Sequence, residues 1–278
     1  MALLGLFDGL RGLRYAQCDA KHENVFGVVA GLDESGQARM SALAAAKRAF
    51  YREERIAAAY DKQRFGGAAG AYVNLRELRV VGSLLPSWME TVADVGAGTG
   101  RLLPLLRGRA SRVAGLDASW AMLEQAAHRC APQGDSGAGL VQADAFALPL
   151  KDGGLDGVAC LRLLFHFDDP APALRELRRV VRPDGVLVCD TSTWSPRGLL
   201  PLGRNAWGER VAAMSRQRFR AMAQEAGWRV SEERPCFLIS PYIYRRLPLA
   251  LALGLERLER HLPERLLCRV FWRLEAPA

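Results

Sequence analysis

Short apolar runs alternate with helical segments between residues 91 and 190, and this alternation restricts the possible folds more than any other feature of the chain. Turn residues bound each apolar run, which favours short buried strands over pieces of buried helix. The five runs cover residues 91–95, 112–116, 140–143, 155–160 and 186–190. Strands separated in this way by helices form a parallel sheet with helices on both faces. The sequence therefore predicts an α/β fold.

Further segments are expected on both sides of this region. Residues 1–88 are predicted to be a mainly helical cap, because Ser41–Tyr60 and Leu75–Leu85 have apolar residues at helical spacing. Residues 89–240 form the predicted core, which also holds a helix at Met214–Ala226 and a sixth strand that begins at Trp228.

The predicted C-terminal extension covers residues 241–278. An amphipathic helix is expected over Leu247–His261, while Leu267–Leu274 fits either a last strand or another helical turn. Four uses of this helix remain open at this point: a lid over a substrate, a dimer contact, a face for an anionic membrane, and simple packing onto the core.

The net charge is +8, and the part from Pro201 to the end holds 14 Arg, no Lys and 8 acidic residues. Such a segment attracts phosphates, anionic lipid or acidic substrates, or it is a solvated Arg-rich face. The six cysteines show no CxxC pair, which indicates reduced thiols in a cytoplasmic protein. No signal peptide and no membrane span are expected.

A glycine-rich loop follows the first of the five strands and opens a helix. It reads Asp94-Val95-Gly96-Ala97-Gly98-Thr99-Gly100. Glycines permit tight turns and let a ligand approach the main chain, and ligands of open α/β sheets bind at this edge. A dinucleotide site would need a third glycine at position 101, where this chain has Arg.

Two further acids follow the next two strands, Asp117 after the second and Asp144 after the third. A carboxylate in the position of Asp117 can accept hydrogen bonds from both ribose hydroxyls. One such acid alone is as well explained as a cap or turn residue, but three acids at successive strand ends favour a nucleotide site.

These residues resemble motif I and its companions in class I S-adenosylmethionine-dependent methyltransferases, and the ubiquinone/menaquinone-type small-molecule branch fits best. The resemblance covers about residues 88–190 and includes the runs Leu148–Val158 and Pro170–Val188. It implies a Rossmann-like fold with a seven-stranded, mostly parallel sheet and helices on both faces, an N-terminal helical cap and a helical C-terminal extension. It also implies S-adenosyl-L-methionine as cofactor and S-adenosyl-L-homocysteine as product.

The resemblance further implies which residues hold the cofactor, with Asp144 near the adenine amino group. Tyr60 and Arg64 belong to a segment similar to one that closes over the cofactor in related enzymes, where they would contact the methionine carboxylate or the substrate; a turn at the end of a helix is the alternative. The predicted cofactor residues are Asp94, Gly96, Ala97, Gly98, Gly100, Asp117, Ala118, Met122, Asp144, Ala145, Leu161, Tyr60 and Arg64.

Methyl transfer needs a base only when the nucleophile arrives protonated, so a strong catalytic signature is not required. His166, in the loop after the fourth strand, is the candidate base, with packing at the loop as the alternative. The predicted substrate residues are Phe165, His166, Trp194 and Tyr72. No spacing of carboxylates or histidines indicates a metal site.

The predicted function is methyl transfer to a small apolar or aromatic metabolite. An RNA methyltransferase that uses the basic tail, an NAD-dependent oxidoreductase and a non-catalytic partner with the same fold are the alternatives. A small-molecule substrate is the expected partner, and nucleic acid is disfavoured. Peripheral membrane contact and the choice between monomer and homodimer remain open.

Overall fold

The computed structural model describes residues 14–17, 27–28, 49–130, 138–194 and 212–278. Within these residues nine strands form a single sheet, in the order β2-β1-β5-β4-β3-β6-β7-β9-β8. The strands are β1 (Arg14–Gln17), β2 (Gly27–Val28), β3 (Met89–Val95), β4 (Ala110–Asp117), β5 (Ala138–Gln142), β6 (Leu155–Cys160), β7 (Val181–Ser192), β8 (Arg229–Cys236) and β9 (Arg269–Glu275). The five strands β3 to β7 are parallel, which confirms the predicted α/β sheet.

The chain moves outward from β3 to β4 and β5, and then crosses back to place β6 on the other side of β3. The order of the strands therefore reverses beside β3, and its carboxyl end is the position where open sheets of this kind bind ligands. The glycine-rich loop begins there.

Helices cover both faces of the sheet. They are α1 (Glu54–Phe65), α2 (Gly67–Leu84), α3 (Leu103–Arg107), α4 (Trp120–Cys130), α5 (Ala171–Val180), α6 (Arg216–Glu225), α7 (Pro241–Tyr244) and α8 (Leu249–Glu259), with short 3-10 helices at Leu164–His166 and Glu264–Leu266. Alternate residues of β3 point to opposite faces of the sheet. On one face Val92 packs with α2, α3 and α4, and on the other Ala93 and Val95 pack with α5 and α6.

The prediction for the N-terminal part was incomplete. Helices α1 and α2 are present, but β1 and β2 add two antiparallel strands at the β5 edge of the sheet. Gly70 lies inside α2. A Cβ on Gly70 would lie 2.5 Å from the carbonyl carbon of Phe65, so this glycine allows α1 and α2 to approach closely.

The boundary predicted between residues 240 and 241 does not separate two units. β9 pairs antiparallel with β7 on one side and with β8 on the other, so the end of the chain completes the core sheet. Helix α8 packs on α2, where Tyr72 donates a hydrogen bond to Glu256. Within the described residues, no helix has both the length and the apolar character needed to cross a bilayer.

Candidate active site

The glycine-rich loop turns sharply between β3 and the segment that leads to α3. Gly96, Gly98 and Gly100 have φ values of +77°, +54° and +74°, a region that favours glycine. A Cβ on Gly100 would lie 2.8 Å from Cβ of Ala126, so Gly100 serves the packing of α4. A Cβ on Gly98 would meet nothing within 4 Å. Gly98 therefore faces open space, as a residue that lies against a ligand would.

Asp117 connects this loop to the end of β4. Its Oδ2 accepts a hydrogen bond from the Gly98 amide and its Oδ1 accepts one from the Ser119 amide, both at 2.8 Å. Burial raises the pKa of Asp117, and the two amide hydrogen bonds oppose that shift. Each carboxylate oxygen retains a second acceptor site, so the side chain can still receive hydroxyl groups.

Asp94 is 2% exposed, below the loop. Burial raises the pKa of Asp94 to about 7; Arg101 opposes this shift and the charge of Asp117 adds to it. The carboxyl group is therefore close to half ionised at neutral pH. A cation placed next to it would favour the ionised form.

The carboxyl ends of β3 to β6 enclose one large cleft. The space in it, together with the open solvent at its mouth, is about 1090 Å³. Twelve predicted site residues line this cleft: Tyr60, Asp94, Gly96, Ala97, Gly98, Asp117, Ala118, Met122, Asp144, Ala145, Leu161 and His166. Sequence reasoning missed other lining residues, among them Tyr51, Ser119, Phe146 and Arg162.

The structure places other predicted residues outside this cleft. Tyr72 faces α8 instead, because its hydroxyl bonds Glu256. The Trp194 indole donates to the carbonyl of Leu266, 3.3 Å away, near the end of β9. Phe165 lines a second, smaller cavity. The three side chains therefore do not line the main cleft, and their contact with the substrate stays a prediction.

Arg64 also lies outside the lining of the cleft, although it is buried nearby. Its guanidinium carbon is 4.6 Å from the centre of the Tyr242 ring and 5.6 Å from that of Tyr60. Arg64 therefore connects the end of α1 to the C-terminal segment. Its contact with the cofactor stays a prediction.

His166 ends the 3-10 helix that follows β6 and is 9% exposed. The centre of its ring lies 5.9 Å from the Tyr51 ring and 4.8 Å from the Phe165 ring. The imidazole is thus held among aromatic side chains at the wall of the cleft. Its role as a base stays a prediction.

A buried group of charged side chains lies beside the cleft. Glu77 of α2 accepts hydrogen bonds from Arg101 and Arg162, each at 3.0 Å, and also from Arg269. Asp190 of β7 accepts from the Arg269 Nε at 2.5 Å and from the Arg162 amide at 2.6 Å. Burial alone would raise the pKa of Glu77, but Arg269, Arg162 and Arg101 lower it to about 2.

Arg162 has a φ of +63°, a conformation that costs a non-glycine residue about 1–2 kcal/mol. The hydrogen bond from its amide to Asp190 maintains this geometry. Such strain concentrates at functional sites. In the sequence, Arg162 is visible only as a charge within the largely apolar run Cys160–Phe167, and the run does not show which groups it contacts.

This chain is similar to several known proteins. Residues 93–189 match a family described as a methyltransferase domain. A demethylmenaquinone methyltransferase of Corynebacterium kroppenstedtii is 39% identical over 105 residues, which are 37% of this chain and 43% of that protein. The first curated relatives match over only 31 to 49% of their lengths, so the chain spans less than half of each.

Two solved structures share the fold. One is the protein bound to the Trm112 methyltransferase activator of Haloferax volcanii, with a TM-score of 0.58 and 20% identity over 83% of this chain and 97% of that chain. The other is the geranyl diphosphate C-methyltransferase of Streptomyces coelicolor, with a TM-score of 0.56 and 17% identity over 74% of this chain and 80% of that one.

Proposed function

We propose that the chain, whose residues 93–189 match a family described as a methyltransferase domain, transfers a methyl group from S-adenosylmethionine to a small apolar or aromatic metabolite. The observation that carries the proposal is one cleft with three features: an unfilled position over Gly98, and the carboxylates Asp117 and Asp144 at successive strand ends. A nucleoside with a cationic side chain fits this donor and acceptor set.

The residues present match the parts of the cofactor. Asp117 lies where it can accept the ribose hydroxyls, and Gly98 leaves room for the backbone to approach the ligand. Asp94 offers a carboxyl group that a nearby cation would ionise. Asp144, whose Oδ1 accepts from the Phe146 amide at 3.0 Å, is the candidate for the adenine amino group.

When bound, S-adenosylmethionine supplies a methyl group on a positively charged sulfur, already activated for displacement. The chain has to hold the acceptor in line with that group and to exclude water. Leu161, Leu163 and Phe167 form an apolar wall after β6 that serves the second task. His166 lies on the same wall and is the candidate to take a proton from an acceptor hydroxyl.

The apolar wall and the resemblance to demethylmenaquinone methyltransferase support a small apolar or aromatic acceptor. The RNA alternative loses support because several arginines of the basic C-terminal part are neutralised within the protein. Arg216 pairs with Glu233, Arg229 with Glu275, and Arg234 with Glu232. The dinucleotide alternative loses support because Arg101 replaces the third glycine and is bound to Glu77.

Calorimetry with S-adenosylhomocysteine tests the proposal, with Gly98→Val as the decisive variant. A valine side chain would occupy the space over the loop, and we expect the affinity to fall at least about 100-fold, or roughly 3 kcal/mol. Gly153→Val is the matched control, because Gly153 has a similar φ of +60° and lies outside the cleft. It should lose comparable stability and keep its affinity. A wild-type protein that takes up no S-adenosylhomocysteine would overturn the proposal.

A further inference from the structure

A second, smaller cavity adjoins the main cleft. It lies between the ends of β7 and β9 and helix α7, and its walls include Arg162, Phe165, Ser192, Tyr242, Cys268 and Arg269. Arg162 lines both spaces, so the small cavity and the main cleft lie next to each other. An acceptor in the cleft would reach the small cavity past this side chain.

Buried charged groups lie beside the small cavity. Three guanidinium groups, those of Arg101, Arg162 and Arg269, share the two carboxylates of Glu77 and Asp190. All five side chains are at most 9% exposed. Arg101 lines the main cleft and also interacts with Asp94. The two arginines that line the small cavity, Arg162 and Arg269, are therefore matched in charge by Glu77 and Asp190.

Unsatisfied hydrogen-bond donors indicate that the small cavity takes an acceptor group. Arg269 is 4% exposed; its Nε donates to Asp190 and its Nη1 to Glu77, but its Nη2 has no acceptor in the described part of the chain. The Nε of Arg162 is likewise buried without an acceptor there, while its Nη2 donates to the Tyr242 hydroxyl at 3.0 Å. Buried donors on charged groups are costly to leave unsatisfied.

We propose that the small cavity binds a carboxylate of the methyl acceptor, with Arg269 as its main donor, so that the substrates are aromatic or apolar carboxylic acids. The inference rests on the proposed function, because it assigns the cavity to the second substrate of the same site. Phe165, which lies against the Arg269 guanidinium at 5.7 Å, gives the cavity an apolar wall for the carbon atoms next to the carboxylate. The carboxylate of the cofactor is the other possible source of the same chemistry.

The test is a calorimetric titration. The full chain is first saturated with S-adenosylhomocysteine and then titrated with benzoate or with its neutral analogue benzamide. We expect benzoate to bind at least about tenfold more tightly than benzamide, as a charge-assisted hydrogen bond provides. In Arg269→Gln this preference should disappear, while the affinity for S-adenosylhomocysteine stays within about twofold. Arg76→Gln is the matched control: Arg76 is also buried and paired with a glutamate, but it lies outside both cavities.

A second variant keeps the test valid if Arg269→Gln fails to fold. Ser240 lines the small cavity and its side chain makes no capping hydrogen bond, so Ser240→Leu should fill the cavity and leave the charged group intact. It should weaken benzoate binding about tenfold or more without affecting S-adenosylhomocysteine.

Three results are distinguishable. Equal binding of benzoate and benzamide to the wild type would overturn the inference alone. A loss of S-adenosylhomocysteine affinity in Arg269→Gln, with benzoate binding unchanged, would assign the arginine to the cofactor carboxylate and also overturn it. Failure of the wild type to bind S-adenosylhomocysteine at all would instead overturn the proposed function.

Discussion

At the scale of single residues, two buried carboxyl groups near the cleft have opposite ionisation behaviour. Glu77 is surrounded by three guanidinium groups and stays ionised far below neutral pH. Asp94 is buried as deeply, but Arg101 only partly offsets the effect of burial on its pKa. The difference comes from the number of partners and not from depth. Glu77 thus acts as a permanent structural charge, whereas Asp94 can respond to a cationic ligand.

This difference predicts that cofactor affinity depends on pH through Asp94. Because its pKa is about 7, the carboxyl group is mostly neutral at pH 6, and a cationic ligand must drive off the proton in order to bind. We expect S-adenosylmethionine to bind about tenfold more weakly at pH 6 than at pH 8. Calorimetry at several pH values measures this, and Asp94→Asn should bind independently of pH. A pH dependence that persists in Asp94→Asn would contradict the assignment.

At the scale of elements, a buried ion pair between Glu259 and Arg76 attaches α8 to α2, separately from the charged group around Glu77. Glu259 of α8 accepts hydrogen bonds from Arg76 of α2, from the Tyr244 hydroxyl and from the amides of Phe237 and Leu238, the last two at 3.1 and 2.9 Å. One carboxylate therefore joins α2, α7, the residues after β8 and α8. Burial alone would raise the pKa of Glu259, but Arg76 and the other donors lower it.

Replacing Glu259 with Gln should lower the free energy of unfolding by about 2–3 kcal/mol, because Arg76 loses its main buried partner. Glu256 remains 3.6 Å from Arg76 and limits the loss. Since the pKa of Glu259 is lower in the folded protein, its contribution is present above about pH 4.5 and disappears as the pH falls further. Urea unfolding from pH 8 to pH 4 measures the difference between wild type and variant.

The control for this variant is Glu232→Gln, which removes a carboxylate paired with Arg234 on the surface. Exposed pairs of this kind contribute less than about 1 kcal/mol. Hydrogen exchange should also accelerate in α8 of Glu259→Gln and not in that of the control. Equal stabilities of the two variants would show that Glu259 does not hold α8 in place.

At the scale of the whole molecule, the two ends of the described chain meet in one sheet. β9 lies between β7 and β8, and Phe271 and Trp272 of β9 are both fully buried, one in each of the two core layers. β8 reaches the rest of the sheet only through β9 among the described residues. The last strand is thus part of the core sheet.

A chain that ends at Ser240 should therefore fail to fold. It would leave β8 without its partner and expose the edge of β7, and such edges aggregate. Solubility and the loss of a cooperative thermal transition measure the effect. The control is the full chain, residues 241–278 included, with two exposed leucines of α8 changed by Leu249→Ser and Leu251→Ser together. Each of these surface changes should lower the free energy of unfolding by about 0.5 kcal/mol. A soluble truncated chain with a sharp transition would contradict this prediction.

The local pattern of residues was sufficient for the parallel strands, the glycine-rich loop and the acids at the strand ends. Strand periodicity and turn chemistry depend on near neighbours, and the carboxyl ends of parallel strands necessarily meet at one edge. This is why Asp94, Asp117 and Asp144 could be assigned to one cleft from the sequence. β1 and β2, with four and two residues, are too short to show a periodicity.

The small cavity and its charges had no such local signal. Arg162 and Arg269 are separated from Glu77 by 85 and 192 residues, and they meet only after α2, the end of β6 and β9 have packed together. The same packing turns Tyr72 toward Glu256 and away from the cleft. Which buried charges become partners depends on contacts between distant parts of the chain, and no pattern of neighbouring residues encodes those contacts.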